Sequence, residues 1–485
     1  MLKRYLSLAL TIVMILSVLV SCSSSEGEAV SETTPETDGV VSSDFPEIDA
    51  YVNELASGNR FDGAQFSVVG GDMKVLPETE GETGNLENDA LYYRSREIEE
   101  KFGVDFVFTE ATGIGYYDLE SEINDLVLKD VMSDGRTYDM IEGNIKLCGT
   151  VMLADNLLRT VDDMDAIDLE RSWWIQGLRE QYAICDRLFY LTGKINLSLY
   201  NDPSCILFNI DVAKNFGLPD LYEIVANGEW TLDKMYETAS VIPPKSDIKR
   251  YMIDYEYGLS LFFGGDFSLC EQDESGNPTV ALLSNEMIDH LENIRREFAD
   301  DSVSFNGLRA YFLGAEDYYD RDTFEGDKVL YWVDCIWRAI DMRPYDVEFG
   351  ILPMPKRDLE QKEYISYSNN SNGVYFEKTL KDPEMSGVIT EAMAALSEKY
   401  IEPAYYEKSL KGRSTYDEES RAVLDIIYNT GRVDLLATYR WGNITEMLNK
   451  ACSGITDSYV SSYNGSMRYA KVQISQLISK VEKYE

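Results

Sequence analysis

The chain has 485 residues, with 44 Lys and Arg against 86 Asp and Glu and a single His, for a formal charge of −42. That acid excess argues against a basic face for nucleic acid or anionic lipid, and one His argues against a multi-His zinc centre or a Ser-His-Asp or Cys-His hydrolase. A hydrophobic content of 44% is enough for a sizeable core, and the length allows about three units of about 150 residues, fewer if they are large α/β lobes.

The chain opens with Lys3 and Arg4, followed by an apolar run from Leu6 to Val20. That run reads as the h-region of a signal peptide, too short for a comfortable membrane span. It ends in Leu19-Val20-Ser21-Cys22, which resembles a bacterial lipobox. The resemblance implies a signal peptide over 1–21, cleavage before Cys22 and lipidation (palmitate) of its thiol, anchoring the protein to the outer face of the cell membrane. Residues 22–60 are rich in Ser, Thr and Glu and contain no Lys or Arg before Arg60, so they are expected to form a flexible acidic tether. No later stretch reaches about 18 uninterrupted apolar residues.

The body reads as strands alternating with helices. Phe66–Val69 is a strand that stops at Gly70-Gly71, and a helix from about Asn88 carries Leu91, Ile98 and Phe102 on one face and caps at Gly103. Val104–Phe108 is the next strand, the helix through Leu119, Ile123, Val127 and Val131 stops at Gly135, and Tyr138–Ile141 is a third strand ending at Glu142-Gly143-Asn144. This βαβαβ order predicts a mainly parallel sheet with ligands beyond the carboxyl ends of its strands. Gly70-Gly71, Glu110 and Asn144 fall on that edge. The Gly pair lacks the spacing of a phosphate loop. Asp273, Ser275 and Asn277 mimic a calcium loop, but Pro278 stands where that loop needs Gly. His290 lies in a helix, Asn285 to Phe298, among acids and arginines, and is expected at the solvated surface. Six further cysteines form no CxxC pair, spacing assigns no disulfides, and free buried thiols are the expectation. Neither a metal site nor a cofactor is expected.

Four stretches then appear in order. Leu199-Tyr200-Asn201-Asp202-Pro203 leads into Leu207–Asp211. Phe216-Gly217-Leu218-Pro219 is followed by Glu229-Trp230-Thr231-Leu232-Asp233. Phe263-Gly264-Gly265-Asp266 precedes Gly276–Thr279. Lys328–Trp332 leads to Trp337 and to Phe349–Pro355. Together these resemble the maltose-binding-protein type of extracellular solute-binding protein from ATP-binding-cassette importers, from about Phe66 onward. Asp334-Cys335-Ile336 departs from the Gly-Pro often found before the aromatic of the last motif.

The resemblance implies an α/β fold of two lobes, periplasmic-binding-protein-like, each a mainly parallel sheet flanked by helices. It places lobe one at 61–200 plus 371–412 and lobe two at 201–370 plus 413–485. Hinge crossings are expected near Tyr200–Pro203, Ser366–Val374 and Gly412–Thr415, with helices over Leu424–Asn429 and Tyr469–Val481 in lobe two. It implies a monomeric binding protein, not an enzyme, that delivers a solute, a sugar or oligosaccharide, to transmembrane permease subunits. A sugar pocket needs aromatic platforms and hydrogen-bonding Asp, Glu, Asn or Arg. The candidate ligand contacts are Trp337 and Trp441 by family position, with Asn144, Asp334, Tyr200, Gly264, Gly265 and Glu110. Trp230 is expected to pack structurally, and Trp173-Trp174 reads as either a core anchor or a surface patch. The scarcity of basic candidates favours neutral polyols over anionic ligands. A surface glycoside hydrolase with paired carboxylates, and a solute-sensing or adhesive lipoprotein, are the alternatives.

Overall fold

The strands of the chain are β1 (Ala64–Gly70), β2 (Val104–Glu110), β3 (Met140–Asn144), β4 (Ser204–Asn209), β5 (Lys249–Ile253), β6 (Cys270–Gln272), β7 (Pro278–Val280), β8 (Ser304–Asn306), β9 (Val329–Cys335), β10 (Phe349–Pro353), β11 (Ser366–Tyr367), β12 (Asn372–Tyr375) and β13 (Gly431–Arg432). They come from a computed structural model that describes residues 45–484 apart from 72–74, 80, 254–256, 315–320, 369–370 and 411–416. The side chains of 407–410 and 417–418 are also outside the description, as are the leader, Cys22 and the expected third crossing.

Two sheets carry the body. The first has the order β12-β3-β1-β2, with β1 parallel to both β2 and β3, and β12 antiparallel to β3. The second has the order β10-β4-β9-β5-β8, with β5 parallel to β8 and β9, and β4 antiparallel to β9 and β10. Strands β4, β9 and β10 are buried along their whole length, which is why they read as continuous apolar runs. Edge strand β2 alternates in burial, as a strand with one wet face should. The mixed α/β, two-lobed architecture matches the expectation.

Local signals hold at the first helix pair. Helix Leu86–Phe102 starts at Asn85, whose side chain accepts from the backbone N–H of Glu87 and Asn88, and it stops at Gly103 with φ 69°. The following helix spans Tyr116–Ser133 and ends on Asp134, in left-handed backbone at φ 52°, one residue before the predicted Gly135. The third strand sits two residues later than predicted, over 140–144.

The connections between lobes lie side by side. The first runs through helix Ser198–Asn201 into β4, and another runs from β11 to β12. Ser204 Oγ accepts from Tyr367 N at 2.9 Å, and Ser198 Oγ accepts from Asn372 N at 2.8 Å. These hydroxyls tie the two crossings together. Helix Pro383–Leu410 packs on Leu86–Phe102, while helix Asp417–Asn429 packs on β10 in the second sheet.

Two expectations are corrected. The acidic tether does not run to residue 60, because Pro46–Gly58 is a helix. Its Ile48 and Val52, one turn apart, are buried, and Asp49 pairs with Lys399 at 2.7 Å. His290 is not a surface residue. It is 4% exposed, and its Nε2 lies 3.0 Å from Leu261 O, near Phe262 and Phe267. Burial pushes its pKa down. It shares a helix face with Met287, Leu291 and Ile294, so the apolar stripe, not the charged neighbours, decides its place.

Trp230 is fully buried and donates from Nε1 to Pro353 O at 3.0 Å, as a packing residue should. Trp173 and Trp174 resolve as core anchors, both donating their indole N–H to Glu391. The six cysteines from Cys148 to Cys452 are free thiols, four of them buried. The last helix begins at Tyr459, ten residues earlier than predicted, and runs to Val481. Just beyond it, the Tyr484 hydroxyl donates to Leu153 O at 2.8 Å, so the chain end reaches the first lobe. Among the described residues, no helix is long and apolar enough to cross a membrane.

Candidate functional site

A cavity of about 470 Å³ opens between the lobes. The first lobe supplies Tyr117, at the start of the helix after β2, and Lys146, in the π-turn Ile145–Gly149 after β3. Both follow carboxyl ends of parallel strands, the edge that topology selects. The second lobe supplies Tyr311 and Phe312 from the end of helix Gly307–Phe312, Leu259, and a wall from Ala437 to Asn449. Tyr367 of β11 lies at the crossing and stacks on Phe263 at 4.1 Å.

Four aromatic rings therefore meet a polar wall. Tyr117 is 66% exposed and Tyr311 is 45% exposed, so both keep a ring face available. Their neighbours Tyr116 and Phe312 hold them edge-on, at centroid distances of 6.0 and 5.4 Å. The wall presents Arg440, Asn443, Thr445, Glu446 and Asn449. Glu446 accepts from Lys450 Nζ at 2.5 Å and from Asn443 Nδ2 at 3.0 Å, and these contacts, Lys450 foremost, hold its carboxyl below the usual range.

The wall's backbone is unusual. Arg440, Gly442 and Asn443 have φ of 52°, 64° and 56°. Non-glycine residues adopt this left-handed region rarely and at a cost. What holds it is packing on the last helix. A Cβ on Gly442 would lie 2.2 Å from Ser466 O, and the Gly442 N–H donates to Gln473 Oε1 at 2.7 Å. Trp441 is 4% exposed and stacks on Tyr439 at 4.7 Å. The buried Trp-Gly pair thus aims Arg440 and Asn443 into the cleft.

None of the sequence candidates lines this cavity. The predicted segment around Trp441 is in place, but its flanking residues, not the indole, reach the space. Trp337 is 47% exposed on helix Ile336–Asp341, whose first N–H bonds Pro203 O at 3.1 Å beside the first crossing. Asn144 is fully buried. Its Oδ1 caps the π-turn by accepting from Lys146 N and Leu147 N, both at 3.1 Å, so it positions Lys146 without facing the cavity. Asp334 is fully buried and paired with Arg338 Nε at 2.9 Å. Tyr200 is 1% exposed and stacks on Tyr405 at 4.9 Å, inside the crossing. Gly264 and Gly265 serve close packing, since a Cβ would lie 2.9 Å from the Met354 side chain or 2.7 Å from His290. Glu110 is exposed at the end of β2.

Sequence reasoning missed Tyr117, Lys146, Tyr311, Arg440 and Asn443. The usable signals were an aromatic doublet after the Gly-rich loop 113–115, and Asn144 as a cap that projects the residue two places on. Among the described residues, no cluster of three or more His, Cys, Asp or Glu could hold a metal. Asp273 accepts from Ser275 N and Asn277 N, at 2.8 and 2.9 Å, in the turn between β6 and β7.

No protein-family model matches the chain, and no curated protein matches its sequence. Solved structures do match. An ABC substrate-binding protein from Listeria monocytogenes in complex with cycloalternan is similar over 85% of this chain and 100% of its own, with 11% identity and a TM-score of 0.53. A cyclo/maltodextrin-binding protein complexed with maltotetraose matches over 86% and 98%, with 14% identity and a TM-score of 0.53. UgpB from Mycobacterium tuberculosis, in complex with glycerophosphocholine, matches over 86% and 99%, with 13% identity and a TM-score of 0.55.

Proposed function

We propose that this chain, which has the two-lobed fold of the extracellular solute-binding proteins, captures a saccharide between its lobes and delivers it to the permease of an ATP-binding-cassette importer. The cleft carries the reading: aromatic faces from both lobes meet amide, hydroxyl and charged groups around one cavity. Aromatic rings cover the C–H face of a sugar, and the polar wall exchanges hydrogen bonds with its hydroxyls. A ligand that touches Tyr117 on one lobe and Tyr311 on the other favours the closed arrangement, because its contacts are complete only there. The protein works by binding and performs no chemistry on the solute. Lipidation at Cys22 and a tether ending near the helix at Pro46 would hold this body, as a monomer, outside the membrane.

A ligand present at about 100 times its dissociation constant adds about 2.7 kcal/mol of stability. A thermal-shift screen of the purified protein against saccharides, peptides and polyamines is therefore expected to show a rise with saccharides only, and with no product formed. Tyr117→Ala and Tyr311→Ala should each weaken that ligand about tenfold, or about 1.4 kcal/mol, by titration calorimetry. A peptide or polyamine shift with saccharides silent, or turnover of the sugar, would refute the reading.

A further inference from the structure

We infer that the captured saccharide is acidic, carrying a carboxylate or sulfate, and that Arg440 reads its charge; this rests on the saccharide reading of the same cleft. The chain holds almost two acids for every base, yet the described lining of the cavity holds Lys146 and Arg440 against one acid, Glu446. Glu446 is already engaged by Lys450 and Asn443. Among its described residues, the lining of the cleft thus reverses the protein's charge. It runs against the preference for neutral polyols, which rested on a scarcity of basic candidates, and the comparison of acidic with neutral probes decides between the two.

Arg440 makes no direct ion pair among the described residues, although its charge adds to those that hold the Glu446 carboxyl down, and it is exposed at the cavity. Its backbone is held left-handed at φ 52°, as is that of Asn443 at φ 56°, in a segment anchored through Trp441 and Gly442. Such conformations persist only where surrounding packing imposes them, and here they set a guanidinium and an amide side by side at the cavity. The Asn443 N–H donates to Arg440 O at 3.1 Å, which closes the turn that keeps the two together. A guanidinium offers paired donors matched to carboxylate or sulfate oxygens, and the neighbouring amide and rings take the rest of the sugar.

The test compares three probes of equal length by titration calorimetry: an oligogalacturonate, a sulfated oligosaccharide and a neutral malto-oligosaccharide. At least one acidic probe is expected to bind about tenfold or more tighter than the neutral one, with an affinity that falls as salt rises. Arg440→Asn, a residue that tolerates left-handed backbone, should weaken the acidic probe about 10- to 100-fold and the neutral one less than about threefold. Arg440→Lys should recover part of the loss. Which acidic probe binds separates carboxylate from sulfate recognition. Equal or tighter binding of the neutral probe, or a selectivity unmoved by Arg440→Asn, overturns the inference and leaves saccharide capture standing. Binding of no saccharide, with a shift from peptides or polyamines, overturns both.

Discussion

Asp334→Ala is expected to lower the free energy of unfolding by about 3–5 kcal/mol, the cost of leaving a buried charge without its partner. Asp334 is fully buried, its Oδ2 pairs with Arg338 Nε at 2.9 Å, and its Oδ1 accepts from Cys335 N at 2.7 Å. Arg338 is itself buried, lies over the Trp332 ring at 4.9 Å, and keeps a second contact to Asp341 at 2.6 Å. That second contact places the loss toward the lower end of the range. The double variant Asp334→Leu with Arg338→Met should recover most of it, since replacing both partners removes the orphaned charge. Urea unfolding at neutral pH checks both. The same variants, assayed well below their melting temperatures, should bind ligand as the parent does. A small stability loss joined to a large affinity loss would instead return Asp334 to the binding site.

Raising the pH from 5 to 8 is expected to remove stability on the order of 3 kcal/mol through Glu391 alone. Its carboxylate is fully buried and accepts from Tyr51 Oη and Trp173 Nε1 at 3.0 Å and Trp174 Nε1 at 2.9 Å, with Asp168 N at 3.4 Å. Arg171 sits over the Tyr51 and Trp173 rings. Burial dominates these favourable contacts and pushes Glu391 from 4.5 up to about 7. The folded state therefore binds more protons than the unfolded chain between those values. Stability from this group is full below about 4.5 and is lost as pH rises through about 7. Urea midpoints across pH should show the difference between the parent and Glu391→Gln changing by that amount over the window. Parallel curves would mean that Glu391 titrates alike in both states. Because Tyr51 belongs to the helix Pro46–Gly58, the loosened element at high pH should include that helix.

Local chemistry made much of the fold legible. Asn85 and Gly103 bound one helix, and the apolar strand runs announced sheets buried on both faces. The ordered motifs around Tyr200, Trp230 and Phe349 pointed to two lobes, and the solved structures that match share that architecture. The site was legible only by neighbourhood. Asn144 stands two residues from Lys146, and Trp441 stands between Arg440 and Asn443.

The sequence by itself determined the elements, their alternation and the edge on which a ligand would sit, because periodicity, caps and strand order are local or topological properties. Which side chains reach the cleft was decided only by tertiary structure. A side chain's direction there depends on what packs behind it: Ser466 and Gln473 force the turn at Gly442, and Arg338 claims Asp334. His290 and Ile48 show the same reason at work in the core. Both sit among charges in the sequence, and both are buried because a second helix or sheet covers the one face they share with apolar neighbours.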